Sequence, residues 1–209
     1  MEYIFILPIL IMSAVVHEVS HGLAALWLGD PTAKYMGRLT LNPISHLDPF
    51  GSIILPILLV IAQSPFFIAW AKPVPYNPYN LRDQKYGPAM VGAAGPLSNI
   101  IIAVIFGFVL KALLIMGNVS ADFSSFTFVV FYYVILINIM LAFFNLIPFP
   151  PLDGSKLLFA LFPIREETKI YLEQYGFFFL IPFIILFSGV IGTLIHSIQT
   201  VFFRAIVGI

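Results

Sequence analysis

The chain has 209 residues, of which 60% are apolar and only 10% charged, against roughly 45–50% and 25% in soluble domains. This is the composition of a membrane protein. Ten basic and ten acidic residues cancel, so no basic surface tracks a phosphate backbone and nucleic-acid binding is excluded. With no cysteine in the chain, a metal site must be built from His, Asp or Glu.

The first apolar stretch covers residues 3–28, more than the about 20 residues needed to cross a bilayer. Its only early charge is Glu2 and it carries His17, Glu18 and His21, so it reads as a retained span and not as a signal peptide. A polar loop with β character follows over 29–51, within which Arg38 to Asn42 alternates like a short strand. Residues 52–71 are apolar but interrupted by Pro56, a Gln63-Ser64 step and Pro65, which favours a re-entrant hairpin over a crossing. Re-entry also puts Lys34, Arg38, Lys72, Arg82, Lys85, Arg165 and Lys169 on one side, in keeping with the positive-inside tendency. Trp27 and Trp70 then share an interface.

Spans follow at 89–116 and 126–147, then a Pro-rich Asp-Gly stretch at 148–156, a charged interfacial stretch at 164–175 and a last span at 176–203. The expected architecture is an all-α polytopic membrane protein of about four transmembrane helices, one domain over 1–209, with a re-entrant hairpin and a short membrane-associated β element. Under this topology the spans beginning at 3 and 126 run parallel.

The chemistry is concentrated in His17-Glu18-Val19-Ser20-His21. Positions four apart on an α-helix differ by about 40° in azimuth, so both imidazoles point to one side and can share a metal ion. Two imidazoles and a carboxylate at membrane depth are costly, and such residues persist where they pair or function. A catalytic zinc site takes three protein ligands and leaves a position open. The third candidate is Asp153, which ends the run Asn145-Leu146-Ile147-Pro148-Phe149-Pro150-Pro151-Leu152-Asp153-Gly154, where prolines stop the helix. Read in isolation, that run is an ordinary interfacial turn with a solvated Asp; the upstream His pair changes the reading.

His17 to His21 in an apolar helix, Gly95-Pro96-Leu97-Ser98-Asn99 and Asn145 through Gly154 together resemble the site-2 proteases (peptidase family M50), in the minimal form with no room for PDZ or CBS domains. The resemblance implies an intramembrane zinc metalloendopeptidase with one Zn2+ per chain. His17, His21 and Asp153 would be the ligands, Glu18 the general base and Asn145 a residue that holds the substrate or polarises its carbonyl. It further implies a transmembrane protein substrate, contact with lipid and a multi-pass location in the plasma membrane of a prokaryote; no regulatory partner is legible. An unwound substrate would pair with the strand-like part of 36–51 by β-augmentation.

Other readings stay open at this point. Acidic residues beside Pro-broken spans also mark ion-coupled transporters, and a non-proteolytic metal-binding membrane protein fits the His pair. His46 reads as a locally bonded loop residue, Gly92, Gly95 and Ser98 as a close-packing face, and Asn99 as an interhelical hydrogen-bonding residue. His196 reads as structural.

Overall fold

The structure, a computed structural model, describes residues 3–63 and 71–209. Seven α-helices are formed among them: α1 (Tyr3–Trp27), α2 (Thr32–Tyr35), α3 (Leu55–Ile61), α4 (Gly87–Ile115), α5 (Phe126–Asn145), α6 (Gly154–Leu161) and α7 (Glu166–Phe202). Single-turn pieces accompany them at Pro43–His46, Pro49–Ile54, Pro78–Asn80 and Phe203–Val207. Four helices are long and apolar enough to span a bilayer, namely α1, α4, α5 and the continuous run Glu166–Val207. The chain is therefore a multi-pass helical membrane protein.

Contacts between named residues fix the helix directions. On α1, Ser13, His17 and His21 meet Asn99, Asn99 and Val91 of α4 in that order, so α1 and α4 are antiparallel. Ser13 meets Asn138 of α5, and His17, one turn further along α1, meets Asp153 beyond the end of α5, so α1 and α5 are parallel. The second of these agrees with the direction expected for the spans beginning at 3 and 126. Helix α7 runs back along α5, from Phe183 stacked on Phe149 to Phe203 stacked on Tyr132.

One half of the bundle is an apolar core of Ala103, Leu110, Phe128, Ile135, Ile139, Phe203 and Val207. Lipid is as apolar as these side chains, so close packing, not water exclusion, holds the helices together here. Gly107 permits that packing, since a Cβ there would press on Ile206 and Phe202. The other half contains the buried polar residues of the site beside a smaller apolar cluster of Ala25, Leu81 and Val91.

Of three further expectations, two are unconfirmed among the described residues and one meets a difference. Among the described residues no strand forms: Arg38 to Asn42 have no regular structure, and no described segment supplies a ladder partner. The interrupted stretch 52–71 yields the short α3 following the Pro49–Ile54 piece, while Ser64, Pro65 and Trp70 lie outside the described residues. Its flanks meet, with the Lys72 N–H donating to the His46 carbonyl at 2.8 Å and the Arg38 guanidinium donating to the Lys72 carbonyl at 2.9 Å. Finally, the charged stretch and the last span form one helix of 37 residues, about 55 Å long at 1.5 Å per residue. The Glu- and Lys-rich stretch after Arg165 is composed of good helix formers, so the helix starts at Glu166 and continues into the apolar segment.

Candidate metal centre

Helix α1 carries the first two candidate ligands well inside the apolar layer. His17 stands about 15 Å along the axis from Trp27, which is half the thickness of a hydrocarbon core of about 30 Å. Both imidazoles are buried, and their rings meet edge to face with centroids 4.7 Å apart. Asp153 arrives from beyond α5, at the N-cap position of α6. An Asp at a helix N-cap ordinarily accepts from the first-turn amides; Asn42, Asp48 and Asn77 each do so at their own helix starts. Asp153 makes no cap bond. Its Oδ2 lies 3.0 Å from His17 Nε2 and 3.2 Å from His21 Nε2.

Glycines make the convergence possible. A Cβ on Gly95 would stand 2.5 Å from His21 Nε2 and 2.6 Å from His17 Nε2, so only glycine lets α4 pass this close to both rings. Gly154 is equally constrained, because a side chain there would strike the backbone carbonyls of Leu146 and Ile147. The Asp-Gly step thus folds the chain back under the end of α5, which brings the carboxylate inward. The sequence reading took Gly95 as a packing residue; the packing it allows is that of the site itself.

The outer nitrogen of each ring is also committed. His21 Nδ1 is 2.7 Å from the Val91 carbonyl, which can only accept, so Nδ1 carries the proton. His17 Nδ1 is 2.6 Å from Asn99 Oδ1. The orientation of the Asn99 amide follows from its other partners: Nδ2 donates to the Ser13 carbonyl at 3.3 Å and to Asn138 Oδ1 at 2.7 Å. Asn138 is oriented in turn by donation from Nδ2 to the Val134 carbonyl at 2.8 Å and to Ser13 Oγ at 2.9 Å. Two main-chain carbonyls therefore dictate, through two buried amides, that His17 also carries its proton on Nδ1.

With both Nδ1 atoms protonated, the neutral imidazoles present lone pairs from Nε2, and the carboxylate adds a third acceptor. Three acceptors facing one another require a cation between them, a proton or a metal ion. The three donor atoms lie within 4.8 Å of one another. For tetrahedral bonds of about 2.0–2.1 Å, ligand atoms stand about 3.3 Å apart, close to the 3.0 and 3.2 Å separations found here. The residues fit a zinc ion. Among the described residues this is the one such cluster of His, Asp and Glu.

Beside this trio is a cavity of about 170 Å³ lined by Glu18, Pro73, Val74, Tyr76, Asn145, Pro151 and Lys156 together with His17, His21 and Asp153. Glu18 and Asn145, singled out by the sequence, therefore share the cavity with the trio. The Val74 amide donates to Glu18 Oε2 at 2.8 Å, and Asn145 Nδ2 donates to the Leu141 carbonyl at 2.9 Å. His46 is buried elsewhere, with Nε2 donating to the Thr40 carbonyl at 2.8 Å.

Sequence reasoning missed Ser13, Asn138, Val74 and Lys156 and underrated Asn99. Ser13 precedes His17 by four, the interval that separates His17 from His21, so its place on the same face was readable. Asn138 is a lone amide within an apolar span, and polar residues there usually bond across helices. For Val74 no local signal exists, since a main-chain amide reaches Glu18 only through the tertiary path of 71–77.

A helical membrane bundle enclosing a buried His-His-Asp trio beside a carboxylate defines a class, the membrane metalloenzymes. Residues 113–189 match the model of Peptidase family M50, a region that runs from the end of α4 through α5 and the Asp-Gly turn into α7. The protein of Bacillus subtilis (strain 168) named "Putative zinc metalloprotease YwhC" is 40% identical over 186 residues, which cover 88% of this chain and 80% of that protein. The protein of Mycolicibacterium smegmatis (strain ATCC 700084 / mc(2)155) named "Putative zinc metalloprotease Rip2" is 28% identical over 185 residues, covering 87% and 68% respectively. No solved structure matches. The chain belongs to peptidase family M50, the site-2 protease family.

Proposed function

We propose that the chain is an intramembrane zinc metalloendopeptidase that hydrolyses peptide bonds within or next to transmembrane segments of other proteins. One observation carries the reading: His17 Nε2, His21 Nε2 and Asp153 Oδ2 converge, buried among apolar helices, on one side of a cavity that also contains Glu18 and Asn145. The names of the two relatives, both zinc metalloproteases, support it. A proton relay for an ion-coupled transporter needs no pair of imidazoles with both outer nitrogens fixed.

His17, His21 and Asp153 would hold one zinc ion, which when bound lowers the pKa of water to about 7 and polarises a carbonyl as a Lewis acid. Glu18 takes the proton of the attacking water and passes it to the departing amine. The Val74 amide fixes Oε2 of that carboxylate, leaving Oε1 to face the water. Asn145 gives one amide hydrogen to Leu141 and keeps its second for the scissile carbonyl, whose developing charge it stabilises.

The substrate is a membrane-spanning protein that must unwind locally, because a helical peptide bond is shielded by its own hydrogen bonds. The backbone around Arg38 to Asn42 receives it by strand addition. The chain leaves α1 and enters α4 on the same side of the membrane. Support comes from the antiparallel run of α1 and α4 and from the bond joining Lys72 to His46, which returns the chain to the point it left. The seven basic residues then face the cytoplasm of a prokaryotic cell.

The test is Glu18→Gln in the purified full chain, assayed on a model transmembrane substrate with zinc content measured in parallel. The expected result is about one zinc per chain with cleavage reduced at least about 100-fold, the lower range for loss of a general base. Cleavage by the variant at the wild-type rate would overturn the assignment.

A further inference from the structure

The cavity wall carries one cation that the reaction described above leaves without a role. Lys156 lies one turn into α6, three residues after Asp153, and its Nζ stands 3.4 Å from Asp153 Oδ1. The side chain is mostly buried, at 21% exposure. Its aliphatic stem lies against α4, where a Cβ on Gly92 would stand 3.0 Å from Lys156 Cδ. Its ammonium faces the Tyr76 ring, 5.4 Å from the centroid. Glycine on one side and an aromatic ring on the other define a channel that delivers the ammonium to Asp153.

The carboxylate is thereby divided. Oδ2 faces the two imidazoles at 3.0 and 3.2 Å, and Oδ1 faces Lys156. A carboxylate with both oxygens free can swing to chelate an ion through both, filling the position that water or substrate must occupy. An ammonium bonded to one oxygen opposes that swing. It also compensates for the missing N-cap bond, since the carboxylate is turned away from the amides of its own helix.

We infer that Lys156 is a positioning residue that restricts Asp153 to ligation through a single oxygen, an inference that rests on the zinc-site reading proposed above. It acts through Asp153 and touches neither the water nor the peptide. Removing it relaxes the carboxylate toward two-oxygen chelation, and removal of groups that orient metal ligands typically costs about 10–100-fold in affinity or activity. Arginine retains a charged donor at the same place; methionine retains the stem without the charge.

The experiment compares wild type, Lys156→Met, Lys156→Gln and Lys156→Arg as purified full-length chains loaded with Co2+ for absorption spectroscopy and with Zn2+ for affinity and cleavage, with melting temperature confirming the fold. In the Met and Gln variants the visible Co2+ bands lose intensity, as expected when coordination number rises above four. kcat falls about 10–100-fold at nearly unchanged KM, and Lys156→Arg stays within about threefold of wild type. An unaltered Co2+ spectrum in a folded Met or Gln variant overturns the inference. So does a rise in KM with kcat preserved, because Lys156 would then contact substrate. Wild type that binds Co2+ but cuts nothing would defeat the protease reading alone, and the spectra would still judge Lys156.

Discussion

Asn99 Oδ1 stands 2.6 Å from His17 Nδ1, and the amide is held in that sense by the Ser13 carbonyl on its other face. The tautomer of a prospective ligand is therefore set by a residue on a different helix. Asn99→Ala removes the acceptor and leaves the Nδ1 hydrogen buried without a partner, so the ring can turn and its proton can move to Nε2. Zinc affinity falls about 10–100-fold, measured by competition with a chromophoric chelator. Asn138→Ala, one step further out, gives a smaller loss, because the Ser13 carbonyl still orients Asn99.

Gly95→Ala tests the closeness of α4 to the rings. A methyl group there overlaps both imidazoles, and its nearest neighbours are ring atoms on a packed helix with nowhere to retreat. The variant assembles its four spans but binds zinc below one-tenth of the wild-type affinity, in line with the cost of displacing ligands. Metal analysis alongside a thermal melt separates this from general misfolding; full zinc content in Gly95→Ala would show that the rings have room to spare.

These two residues also mark how far the sequence could be read. The four spans were legible because each is a long apolar run, and the meeting of His17, His21 and Asp153 was legible because two imidazoles at helical spacing call for a third donor, which the Asp behind the prolines offers. Asn99 was ambiguous for a physical reason: an amide in an apolar helix bonds across helices whether its partner is another amide or a ligand imidazole, and here it does both. The strand expected at Arg38 to Asn42 depended on alternation, which specifies an extended backbone but not the neighbour that completes a ladder. Likewise the approach of Val74 to Glu18 is a property of the path between Lys72 and Asn77, whose anchors, Arg38, His46 and Asp30, are distant in sequence.

Metal removal tests the electrostatics of the trio directly. Three acceptors facing one another are stabilised by a cation, so zinc binds the folded chain in preference to the unfolded one. At free zinc about 1,000 times its Kd the folded state gains about 4 kcal/mol. A purified sample stripped by chelator should melt several degrees lower than the zinc-loaded one, and Asp153→Ala should show no such difference. Equal melting temperatures with and without zinc in the wild type would mean that the trio does not hold the ion.

Asp30 gives a pH-dependent prediction away from the metal. It is buried just beyond α1 and accepts from the Thr32 amide and hydroxyl, the Asn77 amide and the Asn80 side chain. Burial pushes its carboxyl upward, but those donors outweigh burial and hold it below its ordinary value of 3.8. A carboxyl lowered on folding adds stability that is present above its unfolded pKa and is lost as pH falls through the folded value. Asp30→Asn turns one acceptor into a donor that faces donors, at a cost of about 1–3 kcal/mol near neutral pH. In chelator, where metal loss is common to both proteins, the melting-temperature gap between wild type and Asp30→Asn should be constant from pH 7 to 5 and should narrow below about pH 4. A gap that stays constant into strong acid would mean that the ionised form of Asp30 contributes nothing to holding the 77–80 segment against the end of α1.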